Sequence, residues 1–278
     1  MTAYSTLRIE HEDGVATVTI DNPPVNVLDV ALMNDIRRFL ASVHDDPLTR
    51  VIVFQSADPG YFIAHVDMTL IDEPHAFDTI AQDVPDGLNP FQALGELIRA
   101  QPQVTIVKLE GMARGGGAEF VAAADMAFAA IGRAGLGQCE ALMGIIPGGG
   151  ATQYLSQRMT RGRTLEVILG ADLADAHTAE RYGWVNRAIH ADELDTFVRR
   201  LARNIAALPD GVIAAAKTAV RGAGASDGFR IEHEAWAGLF AKPAAERLIR
   251  GGLQSGAQTR DGEQDLEKLL RSLIAHPG

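Results

Sequence analysis

The run Val104-Thr-Ile-Val-Lys-Leu109, the turn Gly115-Gly116-Gly117 and the segment Ala118-Glu119-Phe-Val-Ala-Ala-Ala124 decide how this chain reads. An apolar run without alternation fits a strand buried on both faces. The glycines make a tight turn, and the alanine-rich segment starting near Glu119 fits a helix. A second strand is predicted at Met126–Ile131, followed by Gly137-Gln138-Cys139-Glu140 and a second glycine run, Gly148-Gly149-Gly150. Glu119 and Glu140 thus each stand beside a place where backbone can approach a ligand closely.

Upstream, Leu7–Glu10 and Val15–Ile20 read as strands joined through Glu12-Asp13-Gly14, and Asp-Gly is a strong hairpin signal. Asp21-Asn22-Pro23-Pro24 stops the second strand. Val30–Val43 carries Leu32, Ile36, Phe39, Leu40 and Val43 at helical spacing behind Asp29, a natural cap. Val51–Phe54 is another buried strand. Residues 68–89, with Asp72, Glu73, Asp78, Asp83 and Asp86 and no Lys or Arg, read as a mobile lid or binding loop. Gln92–Ala100 is helical.

Downstream the character changes. Helical patterns recur at 151–159, 163–169, 175–182, 193–207, 211–221, 228–240 and 243–251, with one strand candidate, Val185–Ile189. The expected division is an α/β core over 1–195 and a helical region over 196–278. Leu208-Pro209-Asp210-Gly211 and Gly222-Ala223-Gly224 mark where helices swing away from the core. A last helix over 262–275 presents Leu266, Leu269, Leu270, Leu273 and Ile274 on one face, which predicts docking on this chain or a neighbour.

Composition bounds the function. With 47% hydrophobic and 22% charged residues over 278 positions, the chain has the makeup of an ordinary globular protein. A formal net charge of -11 argues against nucleic acid or an anionic membrane held by bulk electrostatics, so an anionic small molecule needs a local basic patch. The single cysteine, Cys139, excludes an internal disulfide and a cysteine-built zinc site. No apolar run approaches membrane-span or signal-peptide length, and a cytoplasmic location is expected.

Glycines between a strand and a helix can cradle phosphate, since helix N-termini attract anions. The nucleotide fingerprints Gly-x-Gly-x-x-Gly and Gly-x-x-x-x-Gly-Lys-Ser/Thr are missing at 115–120, however. The other use of N–H groups at a helix start is to stabilise a developing oxyanion. Asn22-Pro23-Pro24-Val25-Asn26-Val27-Leu28, Phe62-Ile63-Ala64-His65-Val66-Asp67, Gly111 to Glu119, and Gly137 to Glu140 through Gly144 to Gln153 together resemble the enoyl-CoA hydratase/isomerase (crotonase) family in order and separation. The resemblance covers roughly residues 5–225.

It implies a spiral of ββα repeats with two roughly perpendicular sheets, then helices that build a homotrimer or a dimer of trimers. It also implies an acyl-CoA substrate, with CoA part of that substrate and no separate cofactor or metal. By resemblance the N–H groups of Val66 and Gly116 hold the thioester oxygen, Glu119 handles the attacking water, and Glu140 handles the proton at C2. The same pattern sets Ala64, His65, Asp67, Gly115, Pro147 and Gly148 around the substrate. The implied reaction is hydration of a 2-trans-enoyl-CoA. Isomerisation, decarboxylation or C–C cleavage of an acyl-CoA stay open, as does acyl-CoA binding without catalysis.

Plainer readings stand beside these. Glu119 in a first helical turn is favoured by the dipole alone, and the second glycine run reads as turn and packing. The chain also departs from the family pattern. His65 stands where glycine is usual, Arg114 where an apolar residue is usual, and Cys139 where proline is common. The first reads as a satisfied polar side chain, the second as an ion-pairing or subunit-interface residue, the third as small packing. Arg50, Lys108, Arg247, Arg250 and Arg260 are candidates for the CoA phosphates, with solvated surface charge as the default.

Overall fold

The computed structural model describes residues 4–73, 75–220 and 226–275. β1 (Leu7–Glu12) and β2 (Val15–Ile20) form the antiparallel hairpin, turning at Asp13 and Gly14 with positive φ. α1 (Val30–Val43) starts at Asp29, whose side chain accepts a 2.7 Å bond from the Leu32 N–H. It delivers the chain to β3 (Val51–Ser56), parallel to β2. The chain then leaves that sheet for β4 (Tyr61–Ile63) and returns through α2 (Asp78–Ala81) and α3 (Pro90–Ala100) to β5 (Val104–Leu109). β6 (Met112–Arg114) repeats the excursion, and α4 (Gly116–Ala123) brings the chain back to β7 (Met126–Ile131).

After β8 (Gly135–Gly137) come α5 (Ala151–Arg158), α6 (Arg161–Gly170), β9 (Ala174–Asp175), α7 (Ala176–Tyr182) and β10 (Arg187–His190). From β3 to β8 strand, strand, helix is therefore the unit, and each turn adds one strand to each of two sheets. The larger runs β1-β2-β3-β5-β7-β10, and the smaller β4-β6-β8-β9. α8 (Ala191–Ala206) lays Leu194, Val198 and Ala202 on the larger sheet. α9 (Val212–Val220), α10 (Ser226–Phe240), α11 (Pro243–Gln254), α12 (Arg260–Gln264) and α13 (Leu266–Ala275) follow.

The mixed α/β architecture with two sheets matches the expected class. The smaller sheet shows no pattern of its own in the sequence, because strands of two or three residues are too short for periodicity. The acidic segment is partly ordered, with a 3-10 turn at Met68–Asp72 followed by α2. The expected helix over 262–275 breaks at Asp265 into α12 and α13. Its leucine stripe docks on its own chain, where Leu266 and Leu270 are buried in a cluster with Met68, Cys139, Ile249 and Ala257. Gly222-Ala223-Gly224 and the end of the 211–221 helix lie outside the described residues. Among the described residues, no helix is long and apolar enough to cross a membrane.

A line of aromatic contacts crosses the main core. Phe39 of α1 meets Phe54 of β3 edge-on, Phe54 meets Phe120 of α4 at 5.0 Å, and Phe120 meets Phe62 of β4 at 5.8 Å. Such pairs contribute about 0.5–1.5 kcal/mol each beyond their buried area. They fix α4 between the two sheets.

The N-terminal segment is held differently. The Asp35 carboxylate accepts from the backbone N–H and hydroxyl of both Ser5 and Thr6. Burial alone would raise its pKa, but these bonds outweigh burial and the net shift is downward. A carboxylate with a lowered folded-state pKa stabilises above the unfolded value, and that stability is lost as pH falls through the folded one. Asp35→Asn is expected to cost about 1–3 kcal/mol at pH 7. In urea titrations the gap to the parent should narrow below about pH 4. A gap independent of pH would exclude the ionic contribution.

Candidate active site

α4 reads Gly-Gly-Ala-Glu-Phe-Val-Ala-Ala, and every residue of it is buried. A carboxylate in so apolar a helix must find hydrogen-bond donors, because an unpaired buried charge is very costly. Glu119, 5% exposed, finds them in the second glycine run: its Oε1 accepts from Gly149 N at 2.8 Å and Ala151 N at 3.0 Å. A Cβ on Gly149 would lie 2.4 Å from Glu119 Oε2, so the close approach requires glycine there. The run therefore belongs to the site as well as to packing.

Glu140, 7% exposed, opens a 3-10 turn at Glu140–Met143. The Gln138 amide, oriented with its nitrogen toward the carboxylate, donates to both oxygens at 3.0 Å. Neighbouring Cys139 is buried, and burial followed by the Glu140 charge pushes its thiol well above the usual range, so it is not an activated thiolate.

The two N–H groups expected as oxyanion donors come from two elements. Gly116 begins α4, and its N–H is among those a helix leaves without an internal acceptor. Val66 forms a parallel bridge with Leu28, in which Leu28 N donates to His65 O and Asp67 N donates to Leu28 O. In that pattern the N–H of Val66 itself points away from Leu28. A Cβ on Gly116 would sit 2.5 Å from Val66 Cγ2, which is how closely the two donor residues pack.

These groups meet in a cavity of about 260 Å³. His65, Val66, Asp67, Gly115, Gly116, Glu119, Glu140 and Gly148 all line it. The structure does not bring Ala64 and Pro147 to its wall. Ala64 is fully buried against Val25, Val27 and Tyr61, with its N–H on Val25 O and its carbonyl accepting from Arg114 N. Pro147 is buried, and its neighbours Ile145 and Gly148 take the wall instead. Most of the remaining lining is apolar, including Met68, Leu70, Ile71, Phe77, Phe91, Met143, Trp236, Phe240 and Ile249.

His65 has both ring nitrogens engaged, Nδ1 with Val66 O and Nε2 with Glu263 Oε1, each at 2.8 Å. Asp67 caps the 3-10 turn by accepting from Thr69 and also accepts from Gln258. Arg114 is an ion-pairing residue, bonded to Glu263 and Glu267. Of the five basic candidates, Lys108 pairs with Asp195 and Glu110, Arg50 with Asp210, and Arg260 with Asp58. Arg247 is exposed. Arg250 pairs with Asp72, between the lining residues Ile71 and Glu73. Among the described residues, no group of three or more His, Cys, Asp or Glu side chains is placed to hold a metal ion.

Gly149, Ala151 and Gln138 anchor the carboxylates, a role that sequence reasoning misses. The closeness of glycine runs to the glutamates is the one signal that points their way. Glu263 and Gln258 carry no signal at all.

The chain matches the Enoyl-CoA hydratase/isomerase family model over residues 10–263. It is 30% identical to the "Probable enoyl-CoA hydratase echA8" of Mycobacterium tuberculosis over 242 residues, 86% of this chain and 91% of the relative. The crotonyl-CoA hydratase of Syntrophomonas wolfei is 29% identical over 208 residues, 73% of this chain and 76% of the relative. A crystal structure of a Streptomyces avermitilis protein, provisionally assigned as an enoyl-CoA hydratase, superposes with a TM-score of 0.97 at 60% identity, covering 99% and 100% of the two chains.

Gly149→Ala is expected to destabilise the fold by about 1–3 kcal/mol, since Glu119 must give up a backbone donor to clear the new methyl. Gly162→Ala in α6 meets nothing within 4 Å and should be neutral or slightly stabilising. Equal melting shifts for the two variants would contradict the Glu119 anchoring.

Proposed function

The chain belongs to the enoyl-CoA hydratase/isomerase family, and from that premise we propose that it adds water across the double bond of a 2-trans-enoyl-CoA to give the 3-hydroxyacyl-CoA. One observation carries the reading: two buried carboxylates from separate elements share the wall of a mostly apolar cavity with Val66 and Gly116.

In this mechanism the thioester oxygen sits between the N–H groups of Val66 and Gly116, which stabilise the negative charge that grows as the enolate forms. Each such donor is typically worth about 10²–10³ in rate. Glu119, its Oε1 held by Gly149 and Ala151, takes a proton from the water that attacks C3. Glu140, held by Gln138, governs the proton that reaches C2. In this reading the two glutamates act on the same water. The reaction as proposed draws on these groups and water.

The lining supports a sizeable apolar acyl group. A cavity of about 150 Å³ suffices to hold benzene, and this one is about 260 Å³ with Phe77, Phe91, Trp236 and Phe240 in its wall. It carries Asp67, Glu73, Glu119 and Glu140 and no Lys or Arg, which suits a neutral acyl part and leaves the CoA phosphates outside. Arg250 is the basic candidate that the placement of Asp72 favours for them.

Adding the protein to crotonyl-, octenoyl- and cinnamoyl-CoA should abolish the conjugated enoyl-thioester absorbance, with the larger substrates turned over at higher kcat/KM. Glu119→Gln and Glu140→Gln should each cost about 10²–10⁴ in kcat. The double variant should fall little below the worse single one, because the two act as a unit. Undiminished turnover in the double variant would sink the mechanism, and a product other than the 3-hydroxyacyl-CoA would reassign the reaction within the family.

A further inference from the structure

His65 and Arg114 are each one residue away from the turn or loop that supplies a proposed oxyanion donor. His65 precedes Val66, and Arg114 precedes Gly115-Gly116. Both are buried, and both end on Glu263 of α12, which is itself fully buried. Glu263 Oε1 meets His65 Nε2 at 2.8 Å and accepts from Gln258 N at 2.7 Å. Its Oε2 accepts from Arg114 Nη1 at 3.4 Å, and its carbonyl from Arg114 Nη2 at 3.0 Å. Arg114 Nε reaches Glu267 at 2.8 Å.

The ring of His65 then passes the constraint on. Val66 O can only accept, so Nδ1 carries the hydrogen of that 2.8 Å bond. Burial would raise the Glu263 carboxyl, but its interactions with His65, Gln258 and Arg114 lower it overall, so Nε2 faces a carboxylate at 2.8 Å. Gln258 adds two ties to the same loop, donating to Asp67 Oδ1 at 2.7 Å and accepting from Met68 N at 2.9 Å. The 65–68 loop is thus bonded to the 258–263 segment at three points. A satisfied buried polar network rigidifies what it touches.

We propose that Glu263 is a positioning residue for the Val66 N–H, acting through His65 to hold the 65–67 backbone where that donor meets the thioester oxygen. The inference rests on the oxyanion role proposed above for Val66. A misplacement of about 1 Å in such a site can cost on the order of 100-fold. The loss appears in turnover, because the donor bonds most strongly to the charge of the transition state.

The test measures kcat and KM with the best enoyl-CoA of the substrate panel, at temperatures where circular dichroism shows each variant folded. Glu263→Gln is nearly isosteric but replaces an acceptor facing Arg114 with an amide. It should lower kcat about 10- to 100-fold with KM within about threefold. In a His65→Gly background, Glu263→Ala should have little further effect on kcat, since the residue it acts through is gone. Unchanged kcat in Glu263→Gln, or multiplicative losses in the double variant, would overturn the proposal and leave Glu263 a structural residue. Should Glu263→Ala fail to fold, the kcat of Glu263→Gln decides alone. Failure of the parent protein to hydrate any enoyl-CoA would instead strike the reading beneath, so the two failures are distinguishable.

Discussion

Placing Glu119 in a helix that is otherwise wholly apolar and buried sets the terms for much of the molecule. The carboxylate is tolerable only if backbone donors reach it, and Gly149 and Ala151 come from a segment some thirty residues further along. That segment can arrive only because the chain makes another turn of the spiral, through β7 and β8, before it returns at the start of α5. The aromatic contacts from Phe39 to Phe62 hold α4 from the opposite side. Burial of one charge and packing of four rings therefore answer each other across a helix of eight residues.

Charge distribution follows the same logic at larger scale. The chain has a net charge of -11, and its cavity is lined by four carboxylates and no Lys or Arg. Such a wall repels free anions, yet it suits the neutral acyl thioester proposed as substrate. Behind these residues, the buried Arg114 guanidinium pairs with both Glu263 and Glu267. Buried ion pairs are weak evidence for stability. Here Arg114 directly precedes Gly115-Gly116, so its partners fix the geometry of that turn.

Long elements were legible from the sequence. α1 and its Asp29 cap, β5 and β7 fall where periodicity and capping chemistry put them. The smaller sheet was not, since Tyr61–Ile63, Met112–Arg114 and Gly135–Gly137 become strands only by lying beside one another. The family resemblance led to Glu119, Glu140, Val66 and Gly116, and all four line one cavity. It could not tell that Ala64 faces Val25 and Tyr61, because side-chain direction depends on which sheet the residue joins. Nor could it see Glu263, whose partner His65 lies 198 positions away. Contacts that distant leave no local pattern.

The same separation has a consequence for how the protein is made. A ribosome that has synthesised both glutamates and the glycine turns has not yet produced residues 258–263, and until they emerge the 65–68 loop lacks its three ties to that segment. The spiral can collapse early from neighbouring strands, but the stiffening of the donor loop must wait for one of the longest loop closures in the chain. Competence is thereby coupled to completion. A nascent chain can thus have both carboxylates synthesised while the 65–68 loop still waits for the segment that ties it.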